Sequence, residues 1–162
     1  MNTIFDDRQY DSDALSEAIE LIKQDEIACA LILNGQIIAT AKGRGIKPLM
    51  EICQSNIDAA KGAILADKII GRAASFIAIH FGIKAVYGET MSKGAMQLLS
   101  EHSVEAAQNI LADEIRNRAN TGICPMDSAV LNITEVEEAV SRLNEEILRL
   151  SKNSNENNTR VS

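Results

Sequence analysis

Two apolar runs, Ile27-Ala-Cys-Ala-Leu-Ile-Leu33 and Gln36-Ile-Ile-Ala-Thr40, are joined by the dipeptide Asn34-Gly35. Asn and Gly tolerate positive φ, which a two-residue type I′ turn demands at both of its central positions. This pairing constrains the fold more than any other stretch: the sheet is expected to open with an antiparallel hairpin. Ahead of it, Leu15, Ala18, Ile19 and Ile22 recur with helical spacing. They predict a helix to about Gln24, capped by Asp11 or Ser12.

After the hairpin comes Lys42-Gly-Arg-Gly-Ile-Lys47, a loop rich in glycine and positive charge. Pro48 suits the first turn of a short helix over Leu49 to Gln54. Past a polar stretch, Ser55 to Lys61, the segment Ala63 to His80 is apolar nearly all round. It reads as one central, buried helix that Gly82 can end. Ile83 to Tyr87 predicts a buried strand, and Ser92 caps a helix over Lys93 to Glu101. Val104 to Ile110 is a strand by the helix-to-strand rhythm, although propensity alone favours helix. A loop, Asn117 to Met126, precedes a short helix from Asp127 to about Asn132. Thr134 and Glu137 then form a capping box opening a last helix. Its Val136, Val140, Leu143, Ile147 and Leu150 make a short coiled-coil-like seam, either packed on its own domain or paired with a second subunit. Residues 1–11 are expected to be flexible, 12–150 to form a single domain, and 151–162 to be a disordered polar tail.

This order predicts an α/β fold: a mixed sheet opened by a hairpin, with helices on both faces in three α-β-α layers. With 46% apolar but only 3% aromatic residues, the core must be aliphatic. The net charge of −7 argues against a nucleic-acid partner held by bulk electrostatics, though a local basic site for a small anion is compatible with it. No run of about 18 apolar residues is present to span a membrane, and the acidic start MNTIFDDRQYDSD does not read as a signal peptide. Cys29, Cys53 and Cys124 are widely spaced and odd in number, which suits a reducing, cytoplasmic setting better than a disulfide framework.

Several groups carry chemistry. Asp67, Lys68 and Arg72 are the charges on the expected central helix. Spaced i,i+4, Lys68 and Arg72 repel unless an anion lies between them, either Asp67 or a ligand phosphate or carboxylate. Lys42, Arg44 and Lys47 on the glycine loop form either a phosphate cradle or a solvated turn. Cys124, beside Arg118 and Thr121, is a nucleophile if its thiol is activated and a structural thiol otherwise. Ser92 and Lys93 at a helix start can hold an anion, although capping alone explains Ser92. Glu89 is a general base or a solvated strand end. His80 and His102 lie near helix ends and read as surface residues; Cys29 and Cys53 read as core.

Three segments resemble an uncharacterised family, a domain of unknown function with a cytidine-deaminase-like fold. They are Gly43-Arg-Gly-Ile-Lys-Pro-Leu49, Ala66-Asp-Lys-Ile-Ile-Gly71, and Asn117-Arg118 with Thr121-Gly-Ile-Cys-Pro-Met126. Lys84-Ala-Val-Tyr87 and Ser92-Lys93 also fit, so the likeness spans roughly Ile27 to Val130. Asp127 departs from the glutamate expected of the family. The resemblance implies the fold and, by itself, no activity. Zinc deaminases require a His or Cys and a glutamate at the start of the second helix, and a CxxC pair at the start of the third. At the matching positions this chain has Ala66-Asp67-Lys68 and Met91-Ser92-Lys93, so neither zinc nor another cofactor is expected. The expected function is a zinc-free deaminase-like domain binding a nucleotide or similar phosphorylated molecule through Arg44, Lys68, Arg72 and Arg118. In that reading Asp67 orients the basic groups and Cys124 lines the pocket. The alternatives are a metal-independent enzyme using Cys124 or Asp67, and a structural module whose last helix makes a homo-oligomer.

Overall fold

The computed structural model describes residues 12–160. Expectations for residues 1–11 and for the side chain of Ser12, including the cap of the first helix, lie outside the described residues. The elements run α1 Ser12–Lys23, β1 Cys29–Leu33, β2 Gln36–Ala41, α2 Lys47–Ser55, α3 Ile57–Ala60, β3 Ile64–Ile70, α4 Arg72–His80, β4 Ala85–Ser92, α5 Lys93–Glu101, β5 Glu105–Ala112, α6 Pro125–Ala129 and α7 Val136–Arg160.

The hairpin forms as its turn chemistry requires, with Asn34 at φ 51° and Gly35 at φ 74°. It begins a five-stranded sheet of order β2-β1-β3-β4-β5. β1 is antiparallel to β2 and β3, while β3, β4 and β5 are mutually parallel. Side chains alternate along β1. Cys29 and Leu31 enter the core shared with α2, α4, α5 and α7, whereas Ala30 and Ile32 enter the smaller core under α1. Alanines at Ala14, Ala18, Ala30, Ala66 and Ala85 let α1 lie close to the sheet. The layers are thus α1, sheet, and a face of helices that includes α2, α4, α5 and α7.

The largest departure from the sequence reading is at Ala63–His80. This segment is a central strand, β3, followed by α4, with Gly71 extended between them (φ −103°, ψ −168°). A strand buried on both faces is a continuous apolar run, which periodicity cannot tell from a buried helix. The β-branched residues Ile64, Ile69 and Ile70 settle it as strand. Asp67 and Lys68 are therefore strand residues, and the i,i+4 repulsion between Lys68 and Arg72 does not exist. Val104–Ile110 falls within β5, where rhythm outranks propensity. Gly82 (φ 76°) ends α4 with Gly82 N–H donating to the Ile79 carbonyl at 3.1 Å and Ile83 N–H to that of Ala78 at 3.0 Å.

The capping box at Thr134 does not form. α7 begins at Val136, and Glu137 pairs instead with His80 Nδ1 at 2.9 Å, tying α7 to the end of α4. The seam on α7 is buried at Val140 and Leu143, against α4, and exposed at Leu150. The helix runs on to Arg160, through the stretch read as a polar tail. Among the described residues no helix is long and apolar enough to cross a membrane.

Candidate functional site

One transverse row of backbone pairing fixes the geometry. Ala41 pairs with Cys29, Cys29 with Asp67, Asp67 with Gly88, and Gly88 with Gln108. From this row β2 hands over to the Lys42–Ile46 glycine loop. β3 runs three residues further to the start of α4, and β4 and β5 four residues further, to the start of α5 and to the loop after Ala112. All of these exits share one end of the sheet, the carboxyl ends of its parallel strands. In open α/β sheets that rim is where ligands bind. Two cavities, of ≈ 380 Å³ beside Met96, Ser100 and Ala106 and of ≈ 580 Å³ beside Glu17 and Gly35, lie toward the other end.

At the rim, Gly71 occupies the N-cap of α4 without a side chain to cap it. The cap arrives from α6: Asp127 Oδ1 accepts the Ala73 N–H at 2.8 Å. The carboxylate lies so close to Gly71 that a Cβ there would fall 2.1 Å from Oδ2. Burial raises the Asp127 carboxyl above its usual range, while the Ala73 and Arg72 N–H groups and the Arg72 charge hold it down in part. Arg72 fastens the same segment, its Nε donating to the Val130 carbonyl at 3.0 Å and its Nη2 to that of Ile133 at 2.8 Å, with Phe76 beneath the guanidinium. A carboxylate at a helix N-terminus and a forked arginine on loop carbonyls are both favourable, so this latch explains both residues structurally. The sequence reading assigned Asp127 no role. Its signal was the bare Gly71 at a helix start, which needs a cap from elsewhere.

Lys68 turns to the opposite face and pairs with Asp25 of the α1–β1 turn. Ser92 Oγ accepts the Ala95 N–H at 3.1 Å as the cap of α5, and Lys93 pairs with Asp113 at 2.7 Å. Thr121 is engaged by the Asn117 side chain, which accepts its N–H at 3.0 Å. Cys124, half-buried before α6, donates its backbone N–H to the Ile115 carbonyl at 2.8 Å. Arg118 is exposed, as are Lys42, Arg44 and Lys47, of which Lys47 stands 3.9 Å from Glu51. Arg72 and Cys124 thus belong to the rim and the segment folded over it, Asp67 lies buried three residues before the end of β3, and Lys68 leaves by the other face.

Asp67 is buried, and among the described residues no cation bonds it. Burial pushes its carboxyl up to about 7, against the N–H groups of Ile69 and Lys68, the former at 3.4 Å from Oδ1. Beside it, burial and then the Asp67 charge push the Cys53 thiol up to about 12 and Cys29 higher still. At Glu89, burial works to raise the carboxyl, but hydrogen bonds from Tyr87 Oη and Asn109 Nδ2, both 2.7 Å, and the Lys23 charge prevail and lower it. His102 Nδ1 lies 3.0 Å from the Leu98 carbonyl.

The residues that open α4 are Gly71-Arg72-Ala73, not Ala66-Asp67-Lys68 as the resemblance implied, and those that open α5 are Lys93-Gly94-Ala95 after Ser92. Neither set contains His or Cys. Among the described residues no group of three or more His, Cys, Asp or Glu is arranged to hold a metal ion. The model of the domain of unknown function DUF1893 matches residues 17–147. The chain belongs to the DUF1893 family. A DUF1893 crystal structure from Thermotoga maritima superposes with TM-score 0.72 at 19% identity, covering 83% of this chain and 90% of that one, which shows a shared fold. A Thermotoga maritima diaminohydroxyphosphoribosylaminopyrimidine deaminase/reductase gives TM-score 0.48 at 18% identity over 64% of this chain and 37% of its own. A cyanophage S-TIM5 dCMP deaminase gives 0.45 at 17% over 60% of this chain and 95% of its own. No curated protein matches the chain.

Proposed function

We propose that this DUF1893 domain binds a small phosphorylated molecule, a nucleotide or a close relative, without zinc, at the rim where the parallel strands end. The observation that carries the reading is the transverse row. It brings the glycine loop, the buried Asp67 and the starts of α4 and α5 to one end of the sheet. Lys42 and Arg44 are the supporting cations: both are exposed, neither has an ion-pair partner among the described residues, and Gly43 (φ 117°) and Gly45 (φ 72°) flank Arg44. α2, which follows at once, has no side-chain cap; Pro48 carries no N–H and Met50 N–H donates to the Ile46 carbonyl at 2.9 Å, which leaves the Lys47 and Leu49 N–H groups for an anion. Arg72 is committed to carbonyls and Lys68 to Asp25, so the reading narrows from the wider residue set to Arg44, Lys42 and Lys47. The exits of β2 and β5 are four strand spacings apart, roughly 19 Å. Arg118 therefore serves a distal part of the ligand rather than the same phosphate.

Thermal melts with a panel of nucleoside mono-, di- and triphosphates test this. A ligand at 100-fold its Kd stabilises by about 2.7 kcal/mol. The expected result is a rise in Tm that Arg44→Ala abolishes without changing the melting of the ligand-free protein. No rise with any nucleotide, or a rise indifferent to Arg44→Ala, overturns it.

A second reading, acid–base catalysis by Asp67, is favoured by a carboxyl whose proton is held to about pH 7. For Cys124 no hydrogen-bonded base is present among the described residues, which leaves the nucleophile version without an activator.

A further inference from the structure

The strand order leaves two edges to the sheet, and they are built differently. β2 is irregular: its pairing with β1 shifts between Leu31 and Ile32, and a bulge of this kind discourages further pairing. β5 is longer, eight residues, and pairs with β4 from Glu105 to Ala112 without a shift of register. Its outer side presents backbone N–H and C=O groups with no strand beside them among the described residues. Protein edges are commonly blunted by lysine, proline, a bulge or an inward-pointing charge. From Ala106 to Ala112 β5 has none of these, and no residue of the strand is buried.

Two features sit at opposite ends of this edge. Near its end, Ile110 and Leu111 are 55% and 45% exposed, and Thr90 joins Ile110 to the exposed Ile69 in one transverse row. Near its start, the concavity of ≈ 380 Å³ opens between α5 and β5, lined by Met96, Ser100, Val104 and Ala106. Ala106 and Ile110 stand about 13 Å apart along the strand, so the apolar knob cannot reach the hollow beside it. An antiparallel copy of the same strand carries one to the other.

We propose that β5 pairs antiparallel with β5 of a second copy about a two-fold axis at Gln108, joining two five-stranded sheets into one. Residues that face each other in such a pair lie on one face of the sheet, so under a two-fold the axis passes through a residue. With Gln108 on the axis, Ala106 faces Ile110 of the second copy and Glu105 faces its Leu111. Knob meets hollow, and the symmetry makes the contact twice. Moving the axis to Asn109 sets Glu105 against Asp113, two acids across the pair, which disfavours that register. Charge also favours a second copy here: each chain carries −7, and the uncharged run from Ala106 to Ala112 lets two of them touch without opposing like charges. The dimer is a property of the edge and does not depend on the anion site.

Sedimentation equilibrium of the full chain without ligand tests this. The expected mass is twice the protomer's 17.6 kDa, and it falls to a single protomer in Ile110→Lys and in Leu111→Lys. Both positions are exposed, and an unchanged far-UV circular dichroism spectrum verifies that each variant folds. Gln108→Cys in a Cys124→Ser background reads the register. Facing residues of an antiparallel pair have Cα atoms about 4.5–5.5 Å apart, within disulfide reach, so mild oxidation links the dimer through residue 108, whereas Lys152→Cys in the same background gives no link. A single-protomer mass at every concentration, a dimer that survives both lysine variants, no link through residue 108, or a dimer lost on Leu148→Lys of α7 overturns the proposal.

Discussion

Gly71→Ala isolates the latch between α4 and α6. The backbone at Gly71 has φ −103°, which alanine adopts without strain, so the added methyl acts through space. It meets Asp127 Oδ2 at 2.1 Å, Oδ1 at 2.7 Å and Cγ at 2.8 Å, contacts no side chain sustains. Asp127 must withdraw by about an ångström or more, given ordinary carbon–oxygen contacts above 3 Å. That breaks its 2.8 Å bond from Ala73 N–H. Loss of a helix cap is worth about 1 kcal/mol and overpacking about 1–3, giving about 3 kcal/mol in all. Urea titration measures it as a lower midpoint with unchanged slope. Asp127→Ala removes the obstacle, so in that background Gly71→Ala costs only the modest preference for glycine over alanine at an N-cap. The cycle should yield a coupling of about 2 kcal/mol. A loss below about 0.5 kcal/mol in the single variant, or equal losses in both backgrounds, refutes the contact and with it the latch.

Other outcomes follow from the same structure. Asp67→Asn should match the wild type near pH 4 and exceed it by up to about 4 kcal/mol at pH 8, because the raised carboxyl favours the folded state below its unfolded value and loses that advantage as pH rises to about 7; denaturant titrations across pH check it, and parallel curves count against it. Arg72→Met should cost about 2–4 kcal/mol by stranding the Val130 and Ile133 carbonyls, and Arg72→Lys should restore little, since an ammonium cannot reproduce the fork; full rescue by lysine in a thermal melt contradicts this.

Much of the fold was legible in the chain because local chemistry and global pattern agree there. Asn34-Gly35 dictated the hairpin, Gly82 the end of α4, and Ser92 the cap of α5. Ala63–His80 was misread because a strand flanked on both sides by other strands and buried on both faces from Ile64 to Asp67 shows no period there. The break at Gly71 carried no Pro, Asn or Ser to announce it. The site was less legible for a reason of distance. Charges were visible, but their partners are remote: Asp25 for Lys68, the Val130 and Ile133 carbonyls for Arg72, Asp113 for Lys93. Thr134 and Glu137 illustrate the converse, a local motif outbid when His80 drew Glu137 into a tertiary pair.

The bond from Ala73 to Asp127 spans 54 residues of chain. During synthesis the ribosome makes α4 well before its cap, so the nascent helix waits with an unfilled N-terminus while β4, α5 and β5 are laid down. Such distant closures slow folding. Chains halted between Gly82 and Cys124 would hold a central helix that cannot be completed, a state that leaves apolar surface uncovered until α6 arrives.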